Sequence, residues 1–207
     1  MHQQILIERK QYLLQLHNLK DQNIIKVITG VRRCGKSTLL MMFANDIIKK
    51  GVDANQIQFY NFEDLDILSI GDIYQIHTHI KERLIDDKMN YIFLDEVQNI
   101  KEFQRLVDSL YIKPNVDVYI TGSNAYMLSG ELATLLTGRY VEINILPLQF
   151  SEYYHFTLSK SPNLSRNEIL ANYIHFGGIP EYIKQLNNSE KQADLFAQSI
   201  LKTIVEK

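Results

Sequence analysis

Eight consecutive residues carry the strongest chemical signal in the chain: Gly30-Val31-Arg32-Arg33-Cys34-Gly35-Lys36-Ser37. They fit the pattern G-x-x-x-x-G-K-S/T, and each fixed position has a physical use. Glycines let the backbone turn with its N–H groups facing inward, forming a nest for phosphate oxygens. A helix starting near Lys36 would add the positive end of its dipole. Lys36 would reach the β and γ phosphates as a mobile point charge, and the Ser37 hydroxyl would ligate Mg²⁺. The alternative is a coincidental glycine loop. Against it stands the context: a β-branched stretch, Ile24–Thr29, before the loop and a helical pattern, Ser37–Lys50, after it.

A second signal is the acidic pair Asp95-Glu96, which closes the apolar run Tyr91–Leu94. In parallel α/β sheets ligands bind at the carboxyl ends of the strands. Asp95 would hold the metal, directly or through water, and Glu96 would orient or deprotonate an attacking water. A helix N-terminal cap is the plainer alternative for Asp95. A third signal is Thr121-Gly122-Ser123-Asn124 at the end of the next strand-like segment. Asn124 there could hydrogen-bond a phosphate or the water, although Gly-Ser-Asn is equally ordinary as a turn.

These residues need a frame. Strand-like segments at 24–29, 57–62, 91–94, 116–121 and 140–145 alternate with helical patterns at 37–50, 70–85, 100–110 and 126–136. A leading helix is expected over Ile5–Leu19. Alternation of this kind implies an α/β domain with a mainly parallel five-stranded sheet. Strand order cannot be read from the pattern. After Pro147 strand signals stop, and 148–156, 166–176, 181–186 and 190–205 look helical. The expected division is therefore a domain over 1–147, with 1–20 as its leading helix, and a helical subdomain over 148–207.

Composition narrows the class. The 207 residues carry 22 Lys+Arg against 24 Asp+Glu, a net charge of −2. That excludes a globally basic nucleic-acid coat, and no helix with clustered Lys/Arg supports DNA binding. The single cysteine, Cys34, excludes an internal disulfide framework. The longest stretch without a charged residue, the 13 residues Val118–Gly130, is too short to span a bilayer. The first residues lack the apolar block and cleavage site of a signal peptide. A soluble cytoplasmic protein without a membrane partner is the expectation. His77 and His79, two apart on a helix, make a poor metal pair. Tyr153-Tyr154-His155-Phe156 reads as a helix interface rather than a base-stacking platform. An exposed Cys34 thiol would make the loop sensitive to oxidation.

Gly30–Ser37, Phe93–Gln98 (Phe-Leu-Asp-Glu-Val-Gln), Thr121–Asn124 and Leu135–Tyr140 (Leu-Leu-Thr-Gly-Arg-Tyr) together resemble the prokaryotic predicted ATPases of the AAA+ superfamily. In that family a P-loop AAA domain precedes a C-terminal domain of unknown function, and its members are akin to archaeal and STAND-type ATPases. The resemblance covers most of residues 20–185. It implies a P-loop NTPase fold, ATP and Mg²⁺ as cofactors, Gly35, Lys36 and Ser37 in Walker A, and Asp95 and Glu96 in Walker B. It places Asn124 at the sensor-1 position and Arg139 where many AAA+ proteins carry an arginine finger, with a structural ion pair as the alternative for Arg139. Gly177-Gly178-Ile179-Pro180 is similar to the Gly-x-Pro motif that packs on adenine in STAND-type ATPases, and equally to an interhelical turn. Gly30, Arg32, Arg33, Cys34 and Thr38 complete the candidate nucleotide contacts, with Arg32 and Arg33 at variable positions that often face outward. Two functions follow: Mg-dependent ATP hydrolysis, or a nucleotide-dependent switch coupling ATP to a homo-oligomer, a partner protein or DNA. Because the chain stops inside a helical pattern, a further domain is expected to follow in the natural product.

Overall fold

The computed structural model describes residues 7–122 and 136–180. Asn124 and the helical patterns at 126–136 and beyond 180 fall outside the described residues, apart from Leu136. The described residues form two compact units.

The larger unit comprises 10–30 and 36–144. Its elements are α1 (Lys10–Leu19), β1 (Ile25–Gly30), α2 (Lys36–Lys49), β2 (Ile57–Asn61), a single turn α3 (Leu65–Leu68), α4 (Ile73–Lys81), β3 (Asn90–Asp95), α5 (Phe103–Tyr111), β4 (Val116–Thr121) and β5 (Tyr140–Ile145). The five strands lie in the order β2-β3-β4-β1-β5. The pairings β2·β3, β3·β4 and β1·β4 are parallel, so the expected α/β fold with a mainly parallel sheet is the observed one. Chain order and sheet order differ because β1 sits between β4 and β5, a placement that requires crossovers and therefore helices on the faces.

Both faces of the central strands are buried, and the period-2 alternation divides the side chains. Ile25, Val27, Ile92, Leu94, Val118 and Ile120 pack with Ile73, Ile76 and Ile80 of α4 and with Leu106, Val107 and Leu110 of α5. On the other side, the Phe43 ring of α2 meets Phe93 and Tyr119 at centroid distances of 6.3 and 5.2 Å. Near the amino ends of the strands this second face carries a buried charge pair: Lys26 Nζ lies 2.5 Å from Asp117 Oδ1, and both residues are buried. Burial pulls the ammonium pKa down and pushes the carboxyl pKa up. The Tyr119 hydroxyl donates to Asp117 at 2.9 Å and the Asp21 amide does the same at 2.9 Å, so the carboxylate has the partners that a buried charge requires.

Element ends shift where capping chemistry overrides apolar periodicity. The helix expected over 70–85 is shorter, because Asp72 caps it in a box with Gln75 and Glu82 closes it. The helix expected from residue 100 begins at Phe103, after a 3-10 turn at Val97–Asn99. His77 accepts or donates a hydrogen bond with Ser109 at 3.0 Å and His79 stacks edge-on against Tyr60. Each therefore has its own structural partner. Among the described residues no helix is long and apolar enough to cross a membrane.

The smaller unit contains, of the described residues, 7–9, 31–35 and 145–180. Its helices are α6 (Phe150–Lys160) and α7 (Arg166–Phe176). Leu148, Tyr153 and Ile169 form its core, with Phe150, Tyr154 and Tyr173 packed against them. The tyrosine cluster is thus a helix interface, as its sequence suggests. After α7 the chain turns back. The Leu148 amide donates to the Gly178 carbonyl at 2.6 Å, and a Cβ on Gly178 would lie 2.2 Å from the Leu148 carbonyl oxygen. Gly178→Ala should therefore break this backbone pairing and cost about 1–3 kcal/mol. A thermal melt of the variant coinciding with wild type would show that the contact is not needed.

Candidate functional site

The loop between β1 and α2 is shaped by its backbone. Gly30, Arg33 and Gly35 have φ of 152°, 68° and 101°, and the Cys34 amide donates to the Val31 carbonyl at 3.2 Å. Glycine meets the requirement at position 35 without a side-chain penalty. Arg32 and Arg33 are exposed, whereas Cys34 is buried, so the condition for oxidation sensitivity, an exposed thiol, is not met. The α2 helix opens at Lys36, so its first N–H groups, with Ser37 and Thr38 in the opening turn, have no intrahelical partner.

The carboxyl end of β3 brings two acidic residues to the same helix, and the end of β4 sets a hydroxyl beside them. Asp95 is the last residue of β3 and is 1% exposed. The Thr121 hydroxyl at the end of β4 donates to Asp95 Oδ1 at 2.5 Å, and the Ser37 hydroxyl lies close to the same carboxylate. Burial pushes the Asp95 carboxyl above its ordinary pKa, and those two hydroxyls oppose the shift. A helix cap does not describe the Asp95 side chain, whose hydroxyl partner Thr121 lies on β4.

Glu96 leaves the strand in the left-handed region, with φ 55° and ψ 50°. Such a conformation is uncommon outside glycine and costs about 1 kcal/mol or more, so surrounding contacts must hold it. Its amide donates to Thr121 Oγ1 at 2.9 Å. Its carboxylate accepts from Gln98 Nε2 at 2.5 Å and lies 3.6 Å from Lys36 Nζ. Lys36 is 5% exposed. Two adjacent pairs far apart in sequence, Lys36–Ser37 and Asp95–Glu96, thus share one site at the carboxyl end of the sheet.

Two contributors carried no assigned role in the sequence reading. Thr121 bridges both acidic residues, and Gln98 aims the Glu96 carboxylate. A hydroxyl closing the strand beside an acidic strand end was the available signal for Thr121. Thr121→Val is expected to leave the Glu96 amide unpaired and remove a donor from Asp95, destabilising the unit by about 1–3 kcal/mol. Chemical denaturation of the variant checks this, and an unchanged midpoint would refute it.

Arg139, just before β5, pairs with Asp108 of α5, and its guanidinium carbon lies 5.8 Å from the Tyr111 ring centre. Both charged side chains are more than 40% exposed. In the smaller unit, Pro180 Cγ would be 3.9 Å from a Cβ on Gly35, which brings the Gly177–Pro180 turn to the loop's last glycine.

A mainly parallel sheet with a glycine-bounded loop feeding a helix, and acidic residues at the end of a neighbouring strand, defines a P-loop NTPase fold. The chain matches the AAA domain family over residues 22–154 and belongs to it. It is 40% identical over 179 residues to an uncharacterized protein of Haemophilus influenzae, covering 86% of this chain and 45% of that one. An uncharacterized protein of Methanocaldococcus jannaschii is 32% identical over 166 residues, covering 77% and 36%. The chain spans less than half the length of these curated relatives. Among solved structures, a Walker-type ATPase of Pyrococcus abyssi superposes with a TM-score of 0.61 at 17% identity, covering 97% of this chain and 74% of that one. AMPPCP-bound DnaA from Aquifex aeolicus gives 0.57 at 14% identity, covering 86% and 58%. Likeness at this level concerns the fold.

Proposed function

We propose that the chain is an Mg-dependent ATPase module whose site lies where β1 passes into α2. The observation that carries this is the convergence of the Lys36 ammonium, the Ser37 hydroxyl and the Asp95 and Glu96 carboxylates, with a lysine–glutamate separation of 3.6 Å. Loop amides and the α2 N-terminus would take the phosphates, with Lys36 on the terminal ones.

Ser37 and Asp95 offer the hard oxygen donors that suit Mg²⁺, and the Ser37 hydroxyl lies close to the Asp95 carboxylate. When bound, Mg²⁺ would neutralise charge on the β and γ phosphates. Thr121 holds Asp95 in orientation. Glu96, beside the lysine that would grip the γ phosphate, is positioned to orient a water and take its proton. Arg139 would act on the nucleotide of a second copy. Its present partner Asp108 is solvent-exposed, and an exposed pair of this kind is worth only about 0–1 kcal/mol, so exchange for phosphate would cost little.

Base identity rests on the family resemblance, because the loop contacts phosphates and not the base. The test is steady-state phosphate release from ATP, with and without EDTA. Release that chelation abolishes is the expected result. Tight ATP binding with no release would replace hydrolysis by the nucleotide-dependent switch, and no binding at all would remove both.

A further inference from the structure

We propose that Arg9 is a positioning residue for the β1–α2 loop, fixing the direction in which the Gly35 amide points. Its side chain is 6% exposed and makes directed contacts with described residues of the smaller unit. Arg9 Nη1 donates to the Cys34 carbonyl at 3.3 Å, Nη2 to the Leu146 carbonyl at 2.8 Å, and Nε to Glu152 Oε1 at 3.0 Å. Glu152 is itself held: its other oxygen accepts the Gln149 amide at 2.9 Å in the capping box that opens α6. A rigid guanidinium fork locked at one end by a carboxylate thus grips a single carbonyl of the loop at the other.

The consequence follows from peptide geometry. Across a planar trans peptide the C=O and N–H point in opposite directions, and no cis bond occurs among the described residues. Holding the Cys34 carbonyl toward Arg9 therefore holds the Gly35 N–H toward the other side of the loop. Control is needed here because the following residue is a glycine with φ 101°. Glycine tolerates either sign of φ, so the Cys34–Gly35 peptide could otherwise rotate and present a carbonyl where an anion needs a donor. This proposal rests on the phosphate-loop function above and adds to it the residue pair that presets one of its donors.

The Cys34–Gly35 junction can be observed selectively, since Cys34 is the only cysteine. Labelling carbonyl carbon in cysteine and amide nitrogen in glycine isolates the Gly35 amide resonance in the full chain. With Mg·ATP added, the wild-type resonance should move downfield as its N–H becomes a phosphate donor. Arg9→Gln should weaken Mg·ATP binding by about tenfold or more, the scale of one lost charge-assisted preorganisation, and should shrink the Gly35 shift. Arg9→Lys, which keeps charge but not the fork, should fall between. If Arg9→Gln does not fold, Glu152→Gln serves: releasing the fork should weaken binding severalfold and reduce the same shift. A folded variant of either residue with wild-type affinity and a wild-type Gly35 shift overturns the proposal alone. A wild type that neither binds Mg·ATP nor moves this resonance overturns it together with the phosphate-loop function.

Discussion

Lys36→Ala should lower the affinity for Mg·ATP by about 10²–10³-fold, enough to make binding vanish in an ordinary titration. Lys36 is 5% exposed, and its ammonium lies 3.6 Å from the Glu96 carboxylate. In such a setting hydrogen bonds to charged groups contribute about 1.5–3 kcal/mol each. Two contacts to phosphate oxygens therefore account for the expected loss. The substitution also leaves Glu96 with Gln98 as its neutral partner, so some destabilisation is expected as well. Thermal melts separate the two effects: a folded Lys36→Ala protein that binds no triphosphate supports the site. Affinity unchanged from wild type would mean that the loop is not where phosphate binds.

Glu96→Gln should have the second largest effect, and of a different kind. The substitution keeps size and one acceptor but removes the charge and the basicity. Phosphate release is expected to fall by about 10²–10⁴-fold, the usual contribution of a positioned general base. Binding should persist or tighten, because a negative charge beside the triphosphate is lost. The backbone of Glu96 is held by Thr121 through the main-chain amide, so the fold around it should survive. Release within threefold of wild type would remove Glu96 from the chemistry and leave its contact with Lys36 as a structural ion pair. The two variants together distinguish grip from turnover: one should lose binding, the other should bind and stall.

The loop, the strand–helix alternation and the acidic pair were legible in the sequence for one reason: each depends on local chemistry. A nest needs glycines at fixed offsets, a buried parallel strand needs a continuous apolar run, and a carboxylate at a strand end needs only the next residue. Strand order depends instead on which crossovers pack. The site depends on it directly, since Thr121 reaches Asp95 only because β4 lies beside β3. Lys26 shows the same limit. It sits in an otherwise β-branched strand, and nothing nearby in sequence announces that Asp117, 91 positions away, will neutralise it. Arg9 likewise gains its meaning from a carbonyl 25 residues on and a carboxylate 143 residues on. What the sequence determined by itself was the class of fold and the residue types proposed for phosphate chemistry. The tertiary structure decided which side chains support that chemistry, because hydrogen-bond partners and charge neutralisation are set by distance in space, which chain separation does not encode.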